Sequence, residues 1–218
     1  MTPNQILNTI RNQVYETSPT FWTDGEVFAY MWQAECELAA LIGCTQSTDT
    51  SITTVAGTQE YTRPSDALEI SRVTWNYVPL KKIDLRDKDS LEFPSYGDST
   101  NRTGNCTHFY EYGDLIGFWP VPPSASPVKI YYVKQPDEIT ASSSTFTVPQ
   151  LFHHYIPDYV LYRMYAKDQD ETRAQLHKQA WGEHIIAARQ KWQSRTGKGR
   201  FSVVRDESQS QTTELGIV

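Results

Sequence analysis

The side chains best suited to chemistry are five histidines, three cysteines and a scatter of carboxylates, so their spacing is the first question. His153 and His154 are adjacent, and Asp158 follows one helical turn later, which can bring an imidazole and a carboxylate together. Pro157 intervenes and no further ligand is in range, whereas a metal site takes three or four. His177 and His184 lie about 10 Å apart along a helix, too far to share one small ion, and read as surface residues. His108, Glu111 and Asp114 fall in one hairpin. His108 and Glu111 are separated by an odd number, so on a regular strand they face opposite sides, and a shared acid/base site would need a bulge.

Nucleophile signatures are equally sparse. Gly-x-Ser-x-Gly, a phosphate-cradling Gly-rich loop and His-Glu-x-x-His are all absent. Cys36, Cys44 and Cys106 are an odd set without zinc-ligand spacing, and only His108 near Cys106 offers a neighbour that would activate a thiol. They read as reduced thiols of a cytoplasmic product. The residues therefore propose no catalytic, cofactor-binding or metal site. Aromatic strands bearing Trp75, Tyr77 and Trp119 suggest instead a carbohydrate- or receptor-binding module, provided those rings are exposed.

Hydropathy patterning shows what must position these residues. Thr2-Pro3 caps a first helix whose stripe is Ile6, Leu7, Ile10 and Val14. Thr23 and Glu26 form a capping box for a second, with Val27, Met31, Ala34, Leu38 and Leu41 along it and Gly43 at its end. Strand signals then take over. Residues 52–55 and 60–62 around Ala56-Gly57 read as one hairpin, and 107–112 with 115–119 around Gly113-Asp114 as another. Leu68 and Ile70 alternate out of phase with Val73, Trp75 and Tyr77, which predicts a β-bulge. Residues 80–83 and 128–133 read as further strands, 84–93 as a charged short helix or loop, and 94–105 as an exposed loop. Helical periodicity returns with Tyr155, Tyr159 and Tyr162 on one face and Ile156, Val160 and Met164 on another. A turn at 168–170 leads to a long helix burying Trp181, Ile185, Ala188 and Trp192. The predicted class is α+β: N-terminal helices (1–44) and C-terminal helices (149–196) forming a bundle, an inserted antiparallel β-rich region (45–148), and an extended C-terminal arm (197–218).

Charge is unevenly distributed. The chain carries a net −6 with 21% charged residues, which disfavours a protein that coats nucleic acid. No apolar run approaches the ~20 residues of a membrane span, and no membrane partner is expected. Residues 189–205 hold Arg189, Lys191, Arg195, Lys198, Arg200 and Arg205 with no acid, a local +6 that leaves −12 for the remainder. Two readings stand: a solvated helix end complementing the dipole, or a basic edge suited to an acidic neighbour, including another copy. Beyond it, apolar residues are few: Phe201, Val203 and Val204, then Leu215, Ile217 and Val218. The 22 residues from Gly197 can extend roughly 70 Å, either as a disordered tail or as an arm that folds on binding.

Three passages resemble those of head-to-tail adaptor (connector, tail tubular protein A-like) proteins of tailed bacteriophages. One is Ala39-Ala40-Leu41-Ile42-Gly43 followed by Gly57-Thr58-Gln59-Glu60-Tyr61-Thr62-Arg63-Pro64-Ser65-Asp66 and Glu69-Ile70-Ser71-Arg72-Val73. Another is Leu115-Ile116-Gly117-Phe118-Trp119-Pro120-Val121-Pro122-Pro123, leading into Val128-Lys129-Ile130-Tyr131-Tyr132. The third is Ile156-Pro157-Asp158-Tyr159-Val160-Leu161-Tyr162, continuing to Asp168-Gln169-Asp170. The resemblance implies a virion protein of the neck, at the head–tail interface: a homo-oligomeric ring, usually twelve copies, below the portal protein, with a downstream tail or nozzle protein on its far side. Double-stranded DNA would pass through the lumen without sequence-specific binding. In such proteins a C-terminal segment often docks on the portal, which makes the basic and apolar residues of 189–218 the expected docking element here. The resemblance itself stops before Gly197.

Overall fold

A computed structural model describes residues 1–16, 21–92 and 102–196. The described chain divides into two compact units, 1–44 with the segment from 136 onward, and 45–135. Five α-helices and two four-stranded sheets make it an α+β protein.

In the first unit, α1 (Pro3–Gln13) and α2 (Asp24–Ile42) are each opened by a capping box, Thr2 with Gln5 and Thr23 with Glu26. Each box satisfies two backbone donors that the first helical turn leaves open. Gly43, at φ 68°, closes α2 in the left-handed conformation that glycine adopts without steric cost. A 3-10 turn over Gln150–Tyr155 runs into α4 (Ile156–Lys167), and α5 (Glu171–Thr196) follows after Gln169, whose φ of 62° turns the chain. The core of this unit is Ile6, Ile10, Val27, Met31, Leu38, Phe152, Ile156, Val160, Met164, Trp181 and Ala188, drawn from every one of these helices. Ile185 and Trp192 are only partly buried against it.

The division between the units falls after Gln135, where the sequence pattern had placed it after residue 148. The physical reason is that Ile139 and Val148 are buried in the helical core, and Trp32 Nε1 donates to the Pro136 carbonyl at 3.1 Å.

The second unit holds β1 (Gln46–Asp49), β2 (Glu60–Thr62), β3 (Ala67–Trp75), β4 (Val78–Pro79), β5 (Lys81–Lys82), α3 (Leu85–Glu92), β6 (His108–Tyr112), β7 (Leu115–Trp119) and β8 (Val128–Lys134). The sheets run β1-β8-β3-β4 and β2-β7-β6-β5, antiparallel except for the β5–β6 pair, which is parallel. The phase slip in β3 appears as register shifts at Ala67/Glu69 and Ile70/Arg72 against β8. The hairpin expected around Ala56-Gly57 does not form. β2 pairs with β7 instead, and residue 53 makes a lone bridge to Pro127. Tyr61 explains the difference: its hydroxyl accepts from Val55 N at 2.7 Å and donates to Thr58 O at 3.0 Å, folding the connection into a compact loop. The sheets share a core of Ile70, Val73, Trp75, Phe109, Ile116, Phe118, Val128 and Ile130.

Gly117 of β7 is fixed by its neighbour. A Cβ there would overlap the Tyr110 ring, which lies across the glycine and donates its hydroxyl to Glu60 at 2.8 Å.

Candidate functional site

The histidines form contacts that the sequence pattern did not suggest. His153 is a structural residue: Nε2 lies 2.9 Å from Val148 O, and Nδ1 lies 2.9 Å from Met1 O. Asp158 is bound by neither His153 nor His154. It sits between two histidines of α5, accepting from His177 Nδ1 through Oδ1 and from His184 Nε2 through Oδ2, each at 2.9 Å. The expectation that His177 and His184 are plain surface residues is thus corrected. They are half-buried and join α5 to α4 through one carboxylate, with His177 stacked on Tyr165 and His184 on Tyr155. A carboxylate has two oxygens and can reach two partners that cannot reach each other, which spacing along one helix does not reveal. Among the described residues no group of three His, Cys, Asp or Glu is placed to hold a metal ion.

His108 and Glu111 stay apart. β6 pairs with β7 residue for residue from His108–Trp119 to Tyr112–Leu115 without a bulge, so the two side chains alternate to opposite faces. His108 Nδ1 is 2.8 Å from the Thr107 hydroxyl, whereas Glu111 is held by Lys82 Nζ at 2.6 Å and Arg63 Nη1 at 3.6 Å. The arrangement offers no acid/base pair. Burial pushes the Cys44 thiol up to about 12 and Cys106 up to about 11, so neither supplies a thiolate near neutrality.

The aromatic platform reading fails on burial. Trp75 and Trp119 are 5% and 4% exposed, and only Tyr77 of the three stands in solvent. Trp75 spends its indole N–H on the Thr54 hydroxyl at 3.2 Å. An open groove on the outer face of the β1-β8-β3 sheet, lined by Gln46, Thr48, Ser71, Arg72 and Tyr131, carries one cation-flanked ring, with Arg72 and Lys129 over Tyr131 at 5.7 and 4.9 Å.

One buried ionisable group stands out in the helical unit. Glu35 of α2 is fully buried, and its Oε1 accepts from Thr147 N at 2.7 Å and Val148 N at 2.9 Å. Its Oε2 has no hydrogen-bond partner. Burial drives its carboxyl up to about 7, against the two backbone donors that favour the charged form. It is a fastener for the segment entering the C-terminal helices, visible in sequence only as a polar residue beside an apolar stripe.

Of the residues expected to dock on partners, Arg189, Lys191 and Arg195 lie on α5 and are exposed. Lys191 donates to the Tyr155 hydroxyl at 2.9 Å, and Arg195 lies over the Trp192 ring at 5.5 Å, so both cations rest on aromatic neighbours of their own unit. Lys198, Arg200, Phe201, Val203, Val204, Arg205, Leu215, Ile217 and Val218 lie outside the described residues. No helix among the described residues is long and apolar enough to cross a membrane.

Residues 1–204 match the family model of the SU10 adaptor protein, and the chain belongs to that family. It is a structural adaptor of a bacteriophage virion that interacts with other virion proteins, in a family that is normally non-enzymatic. No curated protein matches the chain.

Proposed function

We propose that this protein forms a ring, of twelve copies, in the neck of a tailed phage, between the portal protein and the downstream tail or nozzle protein. The observation that carries the reading is the adaptor-family match over residues 1–204. In this reading residues 1–44 and 136–196 build a helical bundle, 45–135 an inserted β-rich region, and 197–218 an arm. The ring extends the channel for double-stranded DNA, which slides through without base-specific contacts. An acidic overall balance suits that passage, because a lumen that bound phosphates tightly would retain its cargo. Basic residues 189–205 beside an otherwise acidic chain support a charge-complementary contact at the arm's root.

The test is to mix the purified chain with the cognate portal and weigh the products by mass photometry. A ring-plus-portal complex is expected. Truncation before Gly197 is expected to weaken portal docking at least tenfold while leaving the melting temperature unchanged. Undiminished docking by the truncated chain removes the arm from the mechanism.

A further inference from the structure

The segment from Pro136 to Val148 contains no helix or strand, yet it is fastened to the helical unit along its length. At its start the Pro136 carbonyl accepts from Trp32 Nε1 at 3.1 Å. Ile139 and Val148 are buried in the helical core, and Asp137 N donates to Thr147 Oγ1 at 3.2 Å, tying the two ends of the segment together. The segment is also one of the two chain crossings between the compact units.

Its far end is gripped from two sides. Glu35 Oε1, from α2, accepts from Thr147 N at 2.7 Å and Val148 N at 2.9 Å, while His153 Nε2, from the 3-10 turn, lies 2.9 Å from Val148 O. Both backbone polar groups of Val148 are thus held by ionisable side chains of other elements. The two jaws answer differently to pH. An imidazole can donate from Nε2 whether it carries one proton or two. Glu35 Oε2, by contrast, is buried without a hydrogen-bond partner, so ionisation leaves charge in an apolar core. The groups that act on it or feel it do not offset that cost. Asp137 of the segment is an acid and raises the Glu35 carboxyl further, and Cys36 and Cys44, on α2 and just past it, are thiols that Glu35 itself pushes up. Opening the segment relieves the cost, because water then reaches Oε2.

We infer that residues 136–148 form a strap that Glu35 latches while it is protonated and releases when it ionises. Release uncovers the part of the helical core that Ile139 and Val148 fill and lengthens one tether between the units. Burial pushes the Glu35 carboxyl up to about 7 against its two N–H donors, and this sets the window. The closed strap keeps a proton that the open strap gives up. Opening is therefore rarest below 4.5 and grows about tenfold per pH unit until pH reaches 7. The inference stands on the helical unit alone and is independent of the ring reading.

Amide hydrogen exchange of the purified full chain, followed by NMR from about pH 5 to 8, tests it. After correction for intrinsic rates, protection at Thr147 and Val148 is expected to fall at least tenfold over that range. It is also expected to stay below that of Met31 and Val160 in the core at every pH, the mark of a local opening. In Glu35→Gln the same two amides should keep a protection that does not vary with pH. A flat profile in the wild-type chain overturns the inference, and so does protection equal to the core's, which would mean that only global unfolding exposes the strap. A fall that survives in Glu35→Gln overturns it too. The wild-type profile decides alone should the variant not fold.

Discussion

Glu35→Gln should make the protein more tolerant of alkaline pH. Glu35 is fully buried, with one oxygen taking two backbone N–H groups and the other bare. Burial raises its carboxyl from 4.5 to about 7, with Asp137 adding to the rise. A folded value above the unfolded one means that the native chain holds a proton the unfolded chain has released. The associated stability is complete below about pH 4.5 and is lost as pH rises through 7. A shift of that size corresponds to about 3 kcal/mol at ~1.4 kcal/mol per unit. Glutamine keeps the oxygen that accepts from Thr147 and Val148 and carries no charge, so its contribution does not vary with pH. Its amide N–H groups replace the bare oxygen without a partner, which costs about 1–2 kcal/mol at every pH. The variant should therefore be less stable than wild type at pH 5 and equal or better at pH 8.5. Guanidinium unfolding of both proteins across this range is the assay, since every other titrating group cancels between them. The stability difference should change by about 2–3 kcal/mol in the stated direction. A difference that stays flat shows that Glu35 is ionised throughout, and the reasoning from its burial fails.

Gly117→Ala should lose about 2–4 kcal/mol, because the new methyl displaces the Tyr110 ring and its bond to Glu60 in a packed sheet; thermal unfolding measures it. Arg11→Met should cost about 2–4 kcal/mol, since the buried guanidinium pairs with Glu16 at 3.0 Å and Asp24 at 2.6 Å and donates to Trp22 O at 2.8 Å. Asp158→Ala should cost about 1–2 kcal/mol and raise hydrogen exchange along α4 and α5, which it joins through two histidines.

What the sequence made legible was local. The cap at Thr2, the capping box at Thr23, the glycine stop at Gly43, the bulge in β3 and the β6–β7 hairpin each depend on neighbours in the chain, and the structure contains them all. What escaped depended on distant partners. β2 chose β7 over the residues just before it, and β5 found β6 in parallel across the intervening α3. Asp158 was read with its sequence neighbours His153 and His154, yet its partners come from the following helix. Spacing reveals a face of one element, and a carboxylate shared by two side chains of another helix is a tertiary fact.

The central claim is that this adaptor occupies the neck as a ring. A cryo-electron microscopy reconstruction of the cognate virion tests it most directly. The account predicts a ring between portal and tail into whose repeating density α1, α2, α4 and α5 fit. A neck that contains no copy of this fold, or copies found only on the capsid surface or in fibres, would contradict it.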